Sequence, residues 1–202
     1  MATDTRTRMI EATALLLRRR GYHGTSLNDI LSASGAPRGS LYFHFPGGKD
    51  QLVVEVTRAS VADVTERLGA ALLAEHDPAV AVHHVYQSVA HMLEENEFSL
   101  GCPVAPLVLD APNDVPELVE LCRSAFEQWI GLLRQAFMRA GVPERRAQAL
   151  ALLVESSLEG LMVIARATRD RSALIAVADE VAALVEQAVL AGKATEAVRA
   201  AV

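Results

Sequence analysis

The sequence predicts an all-α protein of about nine helices. Three observations carry that expectation. Apolar residues recur at i, i+3, i+4 and i+7 along nearly the whole chain, and no strand-like alternation or internal repeat interrupts them. Ala, Leu and Val dominate while aromatic residues make up only 4% of 202, a mixture that favours helix over strand. Glycines and prolines fall between the periodic stretches rather than inside them, where they act as stops and starts. With 51% hydrophobic and 22% charged residues, the chain reads as well buried rather than disordered. Its longest apolar runs, such as residues 149–154, are far shorter than the ~18 residues of a membrane helix. The charged first residues (Asp4, Arg6, Arg8, Glu11) predict no signal peptide. Two cysteines, Cys102 and Cys122, are too few for a disulfide framework and lack metal-ligand spacing.

The elements follow in order. Ile10, Ala14 and Leu17 share a helix face, and Gly21 after three arginines stops that helix. Thr25 or Ser26 offers an N-cap oxygen for a short second helix with Leu27, Ile30 and Leu31 turned inward, ending at Gly35. Pro37 opens a third, short helix through Phe43. Phe45-Pro46-Gly47-Gly48 breaks it, and Lys49-Asp50 opens a long amphipathic helix to residue 75. Asp77-Pro78 reads as N-cap and first turn of a helix to residue 95. Gly101-Cys102-Pro103-Val104-Ala105-Pro106 is irregular, a short apolar piece follows, and Ala111-Pro112-Asn113-Asp114 is a second breaker. Three more helices are expected: one to Ala140 stopped by Gly141, one from Pro143 to residue 168, and one over 172–190.

Charge is uneven. Residues 1–50 carry seven Lys/Arg against four acids, whereas residues 51–202 carry twelve against twenty-one. A basic head on an acidic body suggests that the head alone meets a polyanion. The competing explanation for Arg18, Arg19 and Arg20 is that cations suit a helix C-terminus. Two short helices around a tight glycine turn form a helix-turn-helix pattern. With Leu41 and Phe45 facing inward, Arg38, Ser40, Tyr42 and His44 are left outward or flanking. Arginine bonds guanine bidentately in the major groove, while hydroxyls, imidazole and helix N-termini suit phosphates.

The residues go further than the generic pattern. Thr25-Ser26-Leu27-Asn28-Asp29-Ile30, Ser34-Gly35-Ala36-Pro37-Arg38-Gly39-Ser40-Leu41-Tyr42-Phe43-His44-Phe45 and Lys49-Asp50-Gln51-Leu52 closely resemble the DNA-binding signature of TetR-family transcriptional regulators. Phe-Pro-Gly-Gly-Lys and Gly101-Cys102-Pro103-Val104 look like the LmrA/YxaF-type branch. The resemblance implies a helix-turn-helix DNA-binding domain over 1–48 and an effector-binding and dimerisation domain over 49–202. It implies phosphate contacts from Thr25, Tyr42, His44 and Lys49, base reading by Arg38 and Ser40, and backbone contact by Phe43. Arg6 and Arg8 are left as either a disordered tail or a minor-groove arm. The implied protein is a cytoplasmic homodimeric repressor with no cofactor, released from palindromic double-stranded operator DNA by a small hydrophobic or aromatic effector.

The acidic body supports parts of this independently. Its last two helices carry more apolar positions than a single stripe needs, so either a two-fold four-helix interface or burial within one subunit must cover them. The expected dimer residues are Leu150, Val154, Leu158, Leu161, Val177, Val181, Leu184 and Val185. The large adaptable side chains cluster between residues 86 and 138, and such groups build either an apolar ligand site or a core. The effector candidates are His91, Met92, Phe126, Trp129, Glu159 and Met162. His84 and His91 share a face, but no third metal ligand follows at a suitable spacing. An all-α enzyme is disfavoured by the lack of G-x-S-x-G, a phosphate loop or H-E-x-x-H. A redox-responsive regulator using Cys102 and Cys122 is the other alternative.

Overall fold

The computed structural model describes residues 4–111 and 115–200. Among them the regular structure is all helical: α1 (Thr5–Arg20), α2 (Leu27–Ser34), α3 (Arg38–His44), α4 (Gly48–Ala74), α5 (Pro78–Glu95), α6 (Ala105–Asp110), α7 (Pro116–Arg139), α8 (Glu144–Thr168) and α9 (Ser172–Ala200). The breaker expected at Pro112-Asn113-Asp114 lies outside the described residues. Asp77 caps α5 as its sequence suggests, its carboxylate accepting from Ala79 N at 2.8 Å with Pro78 in the first turn. Pro37 and Pro143 stand at the N-caps of α3 and α8.

Contacts divide the chain into two compact units. Unit 1 comprises Met1–Val64 and Ser99–Ala125, and unit 2 comprises Thr65–Phe98 and Phe126–Val202. The first part of α4 and all of α6 therefore group with α1, α2 and α3. In unit 1, α1 packs against α2, α3 and α6. Met9, Leu17, Ile30, Leu41, Phe45, Leu52 and Val53 form its interior. Each such side chain contributes about 1.5–3 kcal/mol on burial. In unit 2, α5, α8 and α9 pack on one another. By length and hydropathy α8 is apolar enough to cross a membrane, yet one face of it packs against α5 and α9. Its interior side chains include Leu150, Val154, Leu161 and Ala165.

The last helix corrects the expectation of a stop near residue 190, since α9 continues to Ala200. Within α9, Gly192 serves as a spacer. A Cβ built on it lies 2.0 Å from Gly141 O and 2.8 Å from Gly141 C, so backbone meets backbone there. Helix propensity alone would make Gly192→Ala stabilising by about 1 kcal/mol. The clash reverses that sign: we expect a loss of about 3 kcal/mol in a thermal melt. A higher melting temperature would show that the two backbones do not touch.

Candidate nucleic-acid interface

The presenting scaffold is built locally. Ser26 rather than Thr25 caps α2. Its Oγ accepts from Asp29 N at 3.1 Å, and the Asp29 carboxylate accepts from Ser26 N at 2.9 Å, a reciprocal capping box. The bonds from Ser26 hold the Asp29 carboxyl below the usual carboxylate range. α2 ends at Gly35 in the left-handed conformation, and Pro37 leads directly into α3. Leu41 and Phe45 are buried, anchoring the inner face of α3. The outer face carries exposed Arg38, Tyr42 and Phe43, with Ser40 and His44 half-buried. Tyr42 is 59% exposed and Phe43 80%, and the Phe43 ring meets His44 edge-on at 4.9 Å. Two such aromatic groups side by side with an arginine on a seven-residue helix form a surface made to be covered.

Two of the four expected phosphate ligands, Thr25 and Lys49, have partners within the chain. Thr25 is fully buried and donates its hydroxyl to Gly21 O at 2.8 Å. Lys49 donates to Tyr22 O at 2.7 Å and sits 3.8 Å over the Tyr22 ring. Partial burial pushes the Lys49 amine below its ordinary value. The structure brings Arg38, Ser40, Tyr42, Phe43 and His44 together on α3, while the Thr25 and Lys49 side chains bond the turn between α1 and α2.

Sequence reasoning missed the centre of that turn. Asp110, at the end of α6, accepts from Tyr22 N at 3.0 Å and from His23 N at 3.1 Å. The Tyr22 hydroxyl donates to Asp50, and Arg18 donates to Gly101 O at 2.7 Å. Tyr22 is thus gripped at its amide, its carbonyl and its side chain. No local spacing announces this, because Asp110 lies 88 residues from Tyr22.

Arg6 and Arg8 require a correction. Both lie in α1 rather than in a tail or arm: Arg6 pairs with Glu55 and stacks over Phe45 at 5.2 Å, and Arg8 donates to Ser34 O at 3.0 Å. The first turn of α1 is polar, so apolar periodicity gives no sign of it. A guanidinium at Ser34 O also suits the C-terminal end of α2.

The body candidates separate. Trp129 is buried, donates its indole N–H to Thr65 Oγ1 at 3.0 Å, and meets Phe126 edge-on at 5.5 Å. Met162 is buried, whereas Met92, Phe126 and Glu159 are half-buried. His91 is exposed and pairs with Glu95 at 3.1 Å, so it stands on the surface. His83 and His84 meet Asp179 and Glu75. Of the expected dimer set, Leu150, Val154, Leu161, Val181 and Val185 are buried within the protomer, while Leu158, Val177 and Leu184 are half-buried. The apolar groups that α8 leaves exposed are Leu152, Leu153, Val163 and Ile164. Neither cysteine is in a disulfide and both are buried, and burial pushes the Cys122 thiol up to about 11, which keeps it a thiol at neutral pH.

A short helix pair with an outward basic and aromatic face defines a helix-turn-helix DNA-binding protein. Comparison with known proteins gives the family. Residues 9–56 match the family model of bacterial regulatory proteins of the tetR family. Residues 78–180 match the C-terminal domain of LmrA/YxaF-like transcriptional regulators. The chain is 34% identical over 175 residues to the HTH-type transcriptional regulator Rv0196 of Mycobacterium tuberculosis, covering 84% of this chain and 88% of that one. It is 29% identical to the HTH-type transcriptional regulator LmrA of Bacillus subtilis, with 85% and 92% covered. Among solved structures, a TetR regulator of Chloroflexus aurantiacus superposes with a TM-score of 0.78 at 26% identity, covering 91% and 94%. A cysteine mutant of the TetR-family regulator CifR, complexed with 26-bp double-strand operator DNA, shares the fold with a TM-score of 0.76 at 23% identity, covering 90% and 97%. The chain belongs to the TetR family, in its LmrA/YxaF-like branch, and is a DNA-binding transcriptional regulator rather than an enzyme.

Proposed function

We propose that this regulator is a cytoplasmic, homodimeric repressor that leaves a palindromic operator when a small hydrophobic or aromatic effector binds its helical body. The observation that carries the DNA-reading part is the outward face of α3, with Arg38 exposed beside Tyr42 at 59% and Phe43 at 80%. Arg38 and Ser40 read base edges, Tyr42 and His44 bond the backbone, and Phe43 packs against sugar and phosphate. Residues 1–48 act as the reading domain and 49–202 as the sensing and dimerising domain. Two copies joined across the exposed apolar face of α8, with Leu158, Val177 and Leu184 at its margin, would present two α3 helices to half-sites about one DNA turn apart. Trp129, Phe126, Met92, Met162 and Glu159 supply the effector contacts. The effector acts by preferring the form that does not bind DNA.

The test is DNA selection from a random pool at moderate salt with wild type, Arg38→Ala and Tyr42→Ala. Wild type enriches a palindrome. Arg38→Ala binds it about 1–3 kcal/mol more weakly and relaxes one position in each half-site. Tyr42→Ala weakens all sequences alike, as loss of a backbone contact does. A folded wild-type protein that enriches no motif would refute the operator reading, and a motif without two-fold symmetry would refute the dimer.

A further inference from the structure

Unit 2 contains a cleft of about 620 Å³ that none of the roles above uses. Its walls are the turn before α5, the end of α7 with the turn into α8, and one face of α9. None of the effector candidates, Trp129 included, lines it. Sites for small organic ligands run from about 300 to 1,000 Å³, so the cleft has the size of one. Its charged groups are sorted by sign. α9 presents Glu186, Val189, Leu190 and Lys193 at i, i+3, i+4 and i+7, so the four share a face. The two charges on that face stand about 10 Å apart along the helix axis. Lys193 follows Gly192, whose backbone meets that of Gly141, and Arg139 comes just before that glycine, so Arg139 and Lys193 line the same end. α5 runs antiparallel to α9, with His83 3.0 Å from Asp179, and a matching count of residues from that pair brings Asp77 level with Glu186. His76 lines the cleft beside Asp77. The surface between the ends is apolar, with Leu190 60% exposed and Met138 40%.

We propose that this cleft binds an elongated zwitterion. Arg139 and Lys193 hold a carboxylate at one end, Glu186 and Asp77 hold an ammonium at the other, and an apolar chain lies between them. Among the described residues Arg139, Glu186 and Lys193 have no ion-pair partner. Asp77 accepts from Ala79 N and keeps capacity for a further donor. The two ends do little to neutralise each other, because the Debye length at physiological salt is about 8 Å and shorter than their separation. A simple anion would leave Glu186 and Asp77 facing its tail, and a simple cation would leave Arg139 and Lys193 facing its own. A molecule with both charges satisfies both ends, while its chain covers Leu190 and Met138. The site is separate from the effector contacts proposed for the body and does not rest on the repressor reading.

The experiment uses 8-aminooctanoate as the probe. Octanoate and octylamine serve as singly charged controls, and 4-aminobutanoate as a zwitterion too short to reach both ends. Binding is measured by calorimetry on the full-length chain without DNA. We expect 8-aminooctanoate to bind at least about fivefold more tightly than each of the others, the upper end of what one exposed ion pair contributes. Glu186→Gln should weaken the probe about threefold or more while leaving octanoate unchanged or tighter. Lys193→Gln should weaken the probe equally while leaving octylamine unchanged or tighter. Both side chains are exposed, so both variants keep the fold. Arg139 is left in place because it also suits the C-terminal end of α7. Glu180→Gln, which removes an exposed acid of α9 outside the cleft, should change nothing. Absence of probe binding overturns the proposal, as does equal binding of all four compounds or tighter binding of a singly charged one. Unchanged affinity in Glu186→Gln and Lys193→Gln, or the same loss in Glu180→Gln, overturns it as well.

Discussion

Gly21→Ala is expected to lower stability by about 4 kcal/mol and to cost the protein its operator affinity. Two independent effects meet at this position. Gly21 has φ 70° and ψ −169°, a conformation reached almost solely by glycine. A Cβ there also falls 2.5 Å from Asp110 Oδ2 and 2.9 Å from its Cγ. The carboxylate cannot yield without abandoning Tyr22 N and His23 N, which it bonds at 3.0 and 3.1 Å. Hydrogen bonds to a charged acceptor contribute roughly 1.5–3 kcal/mol each. Urea titration of Gly21→Ala, Asp110→Ala and the double variant separates the two effects. Asp110→Ala removes the acceptor and the obstruction together, so the double variant should be more stable than the sum of the single losses predicts, by about 1 kcal/mol or more. Strict additivity would mean that the clash contributes nothing and backbone strain is the whole effect.

The second large expectation concerns pH. Glu155 is raised from 4.5 to about 7 by burial and by Glu159. Its sign is opposite to that of a carboxylate in a salt bridge. Between pH 4.5 and about 7 the folded chain holds a proton that the unfolded chain has released, so stability falls as pH rises through this window. The loss amounts to about 3 kcal/mol once pH exceeds the folded value. Glu155→Gln, which cannot ionise, should therefore flatten the stability curve between pH 5 and 8 and be more stable than wild type at the upper end. Parallel denaturant titrations at several pH values check this. A Glu155→Gln curve that tracks wild type across the window would place the ionisation elsewhere.

How much was legible in sequence follows from the range of the interactions involved. Helix α3 was legible because its signals are local: Gly35 and Pro37 mark its start, and Leu41 and Phe45, four apart, identify its inner face. Helices α5 and α8 announced themselves through Asp77-Pro78 and Pro143 for the same reason. Periodicity also showed that α8 has apolar residues beyond one stripe, but it carries no information about which stripe a protomer keeps for itself. Leu150, Val154 and Leu161 proved to be inside, and Leu152, Leu153, Val163 and Ile164 outside. Thr25 and Lys49 fit the signature, yet their side chains are occupied by Gly21 and Tyr22, a result that depends on how α4 approaches the turn. The packing of Gly192 on Gly141 was not legible, since the two are remote in sequence.

The shortness of α3 limits how much sequence one protomer can distinguish. Seven residues at 1.5 Å each span about 10 Å, the length of three base pairs. Three fully read pairs carry about six bits, whereas singling out one site among about a million needs about twenty. One copy acting alone would find more than about ten thousand equivalent sites, and a symmetric pair still a few hundred. The remaining discrimination must come from the deformability of the DNA between half-sites or from the number of protein molecules in the cell. Operators for such a protein are thus expected to form a graded set, occupied in order as its concentration rises.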